Sequence, residues 1–391
     1  MQHVPGKIIL IGEHAVLHGQ PAIATRIPLQ LTLSATMGPP GRAGLHDTRS
    51  RDALATAAAF FGLDPHHIQI RTRSQLPVGG GLGSSAALSV ALVRALAELC
   101  TADIEQAELL RMATEVEHTF HGCSSGLDIH AVASHGLIWF QPGPQPQVSP
   151  LTVPAPLDFI VALSGKRRST AAPVSALAPV GGSVVAMRRL GELTDQARTA
   201  LISGDTSTLG HAMNGAHEEM SALGVSAPVL DRMVVLARAA GALGAKLTGA
   251  GHGGAVIALA PDSARARQVV LALRTAGFDA LLLPVPEGAV DGSPRAASGR
   301  RPTPSRAALT PAADRLQGPA ALRRIRAGRV AQGPGTAPPR TRQPEEARIP
   351  LDHTITDATN PVAVFVNSNR EAAPSGGRRA GRGGDSGVVA G

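Results

Sequence analysis

Two glycine-rich segments constrain this chain more than any other feature. The first reads PVGGGLGSSAA over residues 77–87 and leads into an Ala- and Leu-rich stretch typical of a helix. The second reads KLTGAGHGG over residues 246–254, between two apolar runs typical of strands. Glycine lets the backbone approach an anion closely, and the free N–H groups at a helix start favour phosphate. Together the two segments predict a polyphosphate site rather than two ordinary turns.

The first segment does not follow the common nucleotide-binding motifs. No Gly-Lys-Ser/Thr follows its glycines, so the Walker A pattern is absent. A dinucleotide fingerprint started at Gly81 would fit at Ala86, but the predicted helix leads into another helix instead of a strand ending in an acid. Ser84 and Ser85 add hydroxyl groups that suit phosphate or Mg²⁺.

One lysine and two acidic residues, Lys7, Glu117 and Asp128, stand out as candidates for chemistry. The chain has three lysines, at positions 7, 166 and 246, each beside a glycine-containing segment, while arginine fills the other basic positions. A lysine kept against that bias indicates a use for its compact ammonium, most strongly for Lys7; chance is the alternative. Glu117 follows Leu110 and Ala113 at helical spacing, and an inward carboxylate needs a partner such as a metal ion. For Asp128, after a tight loop, a helix-capping role and a catalytic role both stay open.

The histidines do not form a metal-binding pattern. His14 and His18 are four residues apart, and His118 and His121 follow Glu117, but neither group matches a zinc-protease motif. Metal ligation by histidine is therefore not expected.

The net charge of +8 belongs to the C-terminal part of the chain. Residues 293–391 hold sixteen Arg and seven acids, whereas residues 1–292 hold 21 basic and 22 acidic residues. We therefore predict no nucleic-acid partner for the folded part. Pro, Arg, Ala and Gly dominate residues 293–391, which we predict to be a disordered basic tail. Its arginine–glycine run at 376–384 resembles RNA-binding tracts, although a solvated tail is the favoured interpretation.

Two cysteines give no disulfide framework, and the N-terminus lacks a signal-peptide pattern. No apolar run is long enough to span a bilayer, so we predict a cytoplasmic protein without a membrane partner.

The periodicity predicts an α+β fold, with a second half that places helices on one face of a mostly antiparallel sheet. Helices are predicted near residues 51–62, 84–99, from Thr101 or Asp103 to 121, 183–203, 205–222, 228–241 and 262–276. Strands are predicted near residues 7–11, 22–36, 67–75, 137–140, 157–163, 245–248, 255–260 and 278–284.

With these motifs in place, the chain resembles the mevalonate kinases of the GHMP kinase superfamily over about residues 4–290. PGKIILIGEHAVLHGQPAIA resembles that family's first motif, and the two glycine-rich segments resemble its ATP loop and its third motif. The resemblance implies a ribosomal-S5-like N-terminal domain over residues 1–165 and a ferredoxin-like C-terminal domain over residues 166–292. It also implies a cytoplasmic enzyme that uses Mg²⁺ and ATP to phosphorylate the 5-hydroxyl of (R)-mevalonate, with a homodimer as one possible assembly.

The resemblance also implies a role for each matched residue. Asp128 would be the catalytic base, with Lys7 paired to it, and Ser85 and Glu117 would hold Mg²⁺. Substrate contacts would come from Glu13, His14 and Thr248. Nucleotide contacts would come from Pro77, Gly79, Gly80, Gly81, Leu82, Gly83, Ser84, Ser85, Ala86, Gly249 and Gly251.

Some positions depart from the family pattern. His252 stands where the third motif usually has glycine, and the loop Cys123-Ser124-Ser125 lacks the proline that many relatives have before the serine. Lys166 lies in a segment that varies among relatives. Three alternatives remain at this point: another kinase of the superfamily such as a phosphomevalonate kinase, a nucleotide-binding regulator without turnover, and an RNA-binding protein that acts through the tail.

Overall fold

The computed structural model describes residues 1–41, 44–45, 47–121, 124–165 and 181–285, with the side chains of 181–183 left aside. The predicted disordered tail at 293–391, Lys166 and Cys123 lie outside these residues. Within the described residues, the first part of the chain forms a five-stranded sheet with four α-helices. The strands are β1 (Gln2–Ile11), β2 (Ala22–Met37), β3 (Ile68–Ser74), β4 (Leu137–Gln141) and β5 (Gln147–Pro150); the helices are α1 (Thr48–Phe60), α2 (Ser84–Leu99), α3 (Gln106–His121) and α4 (Leu127–Ala133).

Strand β2 organises this first sheet because it is long enough to pair with three others. Its first residues pair with β4, its last residues pair with β3, and β1 runs antiparallel beside most of its length. Strand β1 is buried on both faces from Gly6 to Ile11, which explains its continuous apolar run. Helix α2 packs on β1 and β2, so its first residues lie close to the strand that carries Lys7.

The second half forms a four-stranded antiparallel sheet in the order β7-β8-β6-β9. Its strands are β6 (Leu157–Leu163), β7 (Gly244–Thr248), β8 (Ala255–Ala260) and β9 (Asp279–Val285), and its helices are α5 (Gly181–Ser203), α6 (Thr206–Ala222), α7 (Pro228–Ala239) and α8 (Ser263–Thr275). Strand β8 is buried at every position, as its unbroken apolar sequence predicts. The predicted α+β class and the antiparallel second sheet are both confirmed.

The structure corrects one local prediction, adds two short elements and closes one alternative. Helix α3 begins at Gln106, so neither Thr101 nor Asp103 caps it. Helix α4 and strand β5 were not predicted, because seven and four residues are too short to show a clear period. Helix α4 is capped by Gly126 at φ 82°, and Asp128 lies inside its first turn. A capping role for Asp128 is therefore excluded by its position.

Among the described residues, no helix is long and apolar enough to cross a membrane.

Candidate active site

A lysine–carboxylate pair stands at the centre of the candidate site. Lys7 Nζ lies 3.0 Å from Asp128 Oδ2, although the two residues are far apart in sequence. The Lys7 side chain is 3% exposed, whereas that of Asp128 is 29% exposed. A buried ammonium thus presents its charge to a carboxylate that solvent, or a bound molecule, can reach. Helix α4 holds Asp128 there, because Leu127 and Ala131 pack with Ile9 and Phe140.

The first glycine-rich loop lies directly against this pair. Lys7 N donates to Leu82 O at 3.0 Å, and Lys7 Nζ donates to Gly81 O at 3.3 Å. Gly83, at φ 76°, caps α2, and a Cβ there would lie 2.7 Å from Lys7 Cγ. A side chain at this position would push the lysine away. Glycine is therefore required here both for its backbone conformation and for the close approach.

The two glycine-rich loops face each other. A Cβ on Gly81 would lie 3.4 Å from Thr248 O, and one on Gly254 would lie 3.5 Å from Gly80 O. The first N–H groups of α2 have no intrahelical acceptor and carry the positive end of the helix dipole. The arrangement brings glycine-rich backbone from both halves to the side of the Lys7–Asp128 pair.

Glu117 forms a second polar cluster with helix α2. Its carboxylate is buried and accepts hydrogen bonds from Ser85 Oγ at 2.8 Å and Ser89 Oγ at 3.0 Å. His121 Nε2 lies 3.3 Å from Glu117 Oε1 and 3.1 Å from Ser85 Oγ. Ser85 and Glu117 were expected from the sequence, whereas Ser89 was missed and His121 was given no role. Both lie four residues along a helix from a chosen residue, a spacing that places them on the same face.

The donor set of this cluster fits Mg²⁺. A carboxylate and a hydroxyl are hard oxygen donors, and Mg²⁺ is typically held by one or two carboxylates together with water and substrate phosphates. No group of three or more His, Cys, Asp or Glu side chains able to hold a metal occurs in the part of the chain that the structure describes. A site completed by nucleotide phosphates is consistent with both observations.

The backbone between β1 and the following short 3₁₀ turn (Ala15–His18) is strained. His14 adopts φ 62° and ψ −51°, and Ala15 N donates to Glu13 O at 2.8 Å. These values describe a γ-turn of the rarer, strained form. Strain of this kind persists where surrounding contacts fix it, and it is concentrated at functional sites. The turn holds both Glu13 and His14 in buried positions.

Glu13 forms a buried ion pair with Lys246 of strand β7. The side chains are 3% and 0% exposed, and Lys246 Nζ also donates to Leu247 O at 2.6 Å. Burial lowers the pKa of Lys246, and the charge of Glu13 partly offsets that effect. Nearby, Thr248 Oγ1 donates to Ile9 O at 2.8 Å. These two contacts join the first sheet to the second beside the glycine-rich loops.

His217 supports strand β7 from helix α6. Its Nδ1 accepts from Leu247 N at 3.4 Å, and its Nε2 lies 3.3 Å from Asp231 Oδ1. Burial, together with the charges of Arg238 and Lys246, lowers the pKa of His217 to about 4, although Asp231 opposes the shift. The ring is therefore neutral near pH 7, as acceptance from a backbone N–H requires.

Comparison with known proteins agrees with this geometry. The family models described as "GHMP kinases N terminal domain" and "GHMP kinases C terminal" match residues 50–136 and 197–279. The mevalonate kinase of Pyrococcus abyssi is 33% identical over 309 residues, covering 70% of this chain and 91% of that protein. The chain belongs to the mevalonate kinase family of the GHMP kinases.

Solved structures of the family and its superfamily share the fold. The L. major mevalonate kinase, solved in complex with R-mevalonate, is 29% identical with a TM-score of 0.63, and the match covers 74% of this chain and 96% of that chain. The Streptococcus pneumoniae phosphomevalonate kinase gives a TM-score of 0.61 at 18% identity, covering 72% and 97%. The second likeness shows the fold alone. The fold therefore does not distinguish a mevalonate kinase from a phosphomevalonate kinase.

The third-motif loop contains His252, which the resemblance to the family marks as standing in place of a glycine. His252 is exposed and adopts φ 56°, a backbone conformation that favours glycine. Its N–H donates to Val225 O at 2.9 Å, so the loop keeps the course that a glycine would allow.

Proposed function

We propose that this chain transfers the γ-phosphate of ATP to the 5-hydroxyl of (R)-mevalonate, giving 5-phosphomevalonate and ADP. The observation that carries the proposal is the partly exposed carboxylate of Asp128, paired with buried Lys7 and lying beside two facing glycine-rich loops. Membership of the mevalonate kinase family and the likeness to a kinase solved with R-mevalonate support the choice of acceptor.

Asp128 is the proposed general base. Its carboxylate accepts the proton of the acceptor hydroxyl as the oxygen attacks phosphorus, and Lys7 holds the carboxylate in place and balances its charge. Phosphoryl transfer depends on positioning and on charge stabilisation more than on covalent chemistry by the protein. A fixed acid–lysine pair beside a phosphate-binding loop supplies both.

The glycine-rich loops are the proposed ATP site. Backbone N–H groups at the start of α2 would bind the phosphates, and the facing loop would close over them. The residues proposed to contact the nucleotide are Pro77, Gly79, Gly80, Gly81, Leu82, Gly83, Ser84, Ser85, Ala86, Gly249 and Gly251.

Ser85 and Glu117 are the proposed Mg²⁺ ligands. When bound, Mg²⁺ would neutralise charge on the nucleotide phosphates. Ser89 holds the second oxygen of the Glu117 carboxylate, which leaves the first oxygen to face Ser85.

Glu13, His14 and Thr248 are proposed to order the acceptor side of the site. Because Glu13 is engaged by Lys246 and the Thr248 hydroxyl donates to Ile9 O, both residues support the site through the junction of the two sheets. We place that junction between a nucleotide-binding domain over residues 1–165 and a C-terminal domain over residues 166–292.

The test is ADP release by the full chain with Mg²⁺, ATP and one acceptor at a time. The acceptors are (R)-mevalonate, 5-phosphomevalonate, homoserine and galactose. The proposal predicts turnover with mevalonate and none above background with the other three. Turnover with 5-phosphomevalonate alone would assign the chain to the next phosphorylation. ATP binding without any turnover would favour a regulator on the same fold.

A further inference from the structure

The Ser85 hydroxyl lies within hydrogen-bonding distance of both Glu117 and His121. In the structure, Ser85 Oγ donates to Glu117 Oε1 at 2.8 Å. A hydroxyl that coordinates a cation uses an oxygen lone pair, and its hydrogen must point away from that cation. If Glu117 Oε1 binds the same cation, it is no longer placed to accept that hydrogen. The hydroxyl then needs another acceptor close by.

His121 Nε2 lies at the required distance for an acceptor. It is 3.1 Å from Ser85 Oγ and 3.3 Å from Glu117 Oε1. The ring sits at the C-terminal end of α3, and its side chain is 39% exposed. An imidazole that carries its hydrogen on Nδ1 offers the Nε2 lone pair to a hydroxyl. The other carboxylate oxygen, Glu117 Oε2, is already engaged by Ser89 at 3.0 Å.

We propose that His121 is a positioning residue for the Mg²⁺–nucleotide complex, accepting the hydrogen of Ser85 when that hydroxyl ligates the metal. The proposal rests on the proposed function for the identity of the metal site. His121 is not itself a metal ligand in this account. It fixes the rotation of the Ser85 hydroxyl, so that the oxygen lone pair faces the cation. Hydrogen-bonding partners of metal ligands commonly change metal affinity by about 10- to 100-fold.

The test measures how strongly Mg²⁺ tightens nucleotide binding. The dissociation constant of a non-hydrolysable ATP analogue is measured by calorimetry on the full chain, once in EDTA and once in excess Mg²⁺. The ratio of the two constants reports the metal coupling independently of turnover. We expect His121→Leu to reduce this ratio about 10-fold while the constant in EDTA stays within about twofold. His121→Gln should keep most of the coupling, because its amide oxygen can accept.

His118 provides the matched control. It lies on the same helix, pairs with Glu115 at 3.6 Å and makes no contact with Ser85 or Glu117 among the contacts described. His118→Leu should keep the wild-type ratio. An unchanged ratio in His121→Leu, an equal weakening in EDTA and in Mg²⁺, or equal losses in the Leu and Gln variants would each overturn the proposal.

A wild-type ratio near one would overturn the metal site itself. Mevalonate turnover, measured on the same preparations, keeps that result separate from the proposed function. Wild-type turnover together with a lost coupling in His121→Leu supports both statements. Turnover by a wild-type protein with a ratio near one would remove the Mg²⁺ site and with it the role of His121, while leaving the proposed phosphoryl transfer in place.

Discussion

Lys7 and Asp128 form a lysine–carboxylate pair with one partner open to solvent, whereas Lys246 and Glu13 form one that is buried on both sides. The first pair lies beside the two glycine-rich loops and leaves one edge of a carboxylate open to solvent. The second joins the first sheet to strand β7 and is closed to solvent on both sides. Under the proposed function, the open pair serves the chemistry and the buried pair joins the two sheets, in line with their difference in exposure.

The largest expected effect is on turnover, at the open pair. Asp128→Asn keeps the size of the side chain but removes its ability to take a proton, so kcat should fall by about 10²- to 10⁴-fold. ATP affinity should change little, whereas the thermal midpoint should fall, because the buried Lys7 ammonium loses its charged partner. Steady-state kinetics, calorimetric ATP binding and thermal unfolding of the same preparation check all three. Near-normal kcat would remove Asp128 from its role.

The next largest effect is on stability, at the buried pair. Lys246→Met leaves Glu13 charged and buried, and breaking such a pair costs about 3–5 kcal/mol of the free energy of unfolding. Replacing both partners, as in Glu13→Leu with Lys246→Met, should recover most of that loss. Denaturant unfolding of the single and double variants measures it.

The exposed pair Arg111–Glu108, at 2.7 Å, is the matched control for the buried pair. Arg111→Met should leave the unfolding midpoint almost unchanged, because exposed ion pairs contribute little. If Lys246→Met were as mild as this control, the buried pair would have no structural role and the comparison would fail.

The open pair was expected and the buried one was not, because only the first was implied by the resemblance to the mevalonate kinases. Lys7 and Asp128 match positions of the family's motifs, and their pairing was carried over with those motifs. Lys246 and Glu13 also adjoin motifs, but their pairing depends on how strand β7 meets β1, which no local pattern encodes. The γ-turn at His14 was missed for the same reason, because tertiary contacts rather than sequence preference hold it.

The fold itself was largely predictable. Long, periodic elements such as α2 and β2 were found close to their observed bounds, while α4 and β5 were too short to find. The failure at α4 mattered most, since this helix excludes the capping role that had been left open for Asp128.

A smaller effect is expected in the pH dependence of stability, because His217 supports the strand of the buried pair. The pKa of His217 is about 4 in the folded protein, below its ordinary value near 6.5. The unfolded chain therefore binds more protons between these values, and stability is lost as pH falls from about 6.5 to about 4.

In His217→Gln this pH dependence should be shallower, by up to about 1.4 kcal/mol per pH unit, the value for one proton. Chemical denaturation at several pH values measures the slope. Equal slopes in both proteins would show that His217 titrates alike in the folded and unfolded states.

The smallest effect is expected at His252, in the third-motif loop beside the open pair. His252→Gly relieves a positive φ, so the free energy of unfolding should rise by less than about 1 kcal/mol. Thr101, at φ 50° and outside the site, is the matched control. Thr101→Gly should give a similar gain, and only His252→Gly should change the KM for ATP. A change in the KM for ATP in both variants, or in neither, would show that His252 has no specific effect on nucleotide binding.

The most direct test of the whole account is the position of the transferred phosphate. Wild-type full-length protein is incubated with ATP, Mg²⁺ and (R)-mevalonate, and the product is followed by phosphorus NMR with proton coupling. The account predicts a new phosphomonoester coupled to the methylene protons next to the 5-oxygen, formed in step with ADP and absent with Asp128→Asn. ADP formation without this product, or a phosphate attached at another oxygen, would contradict it.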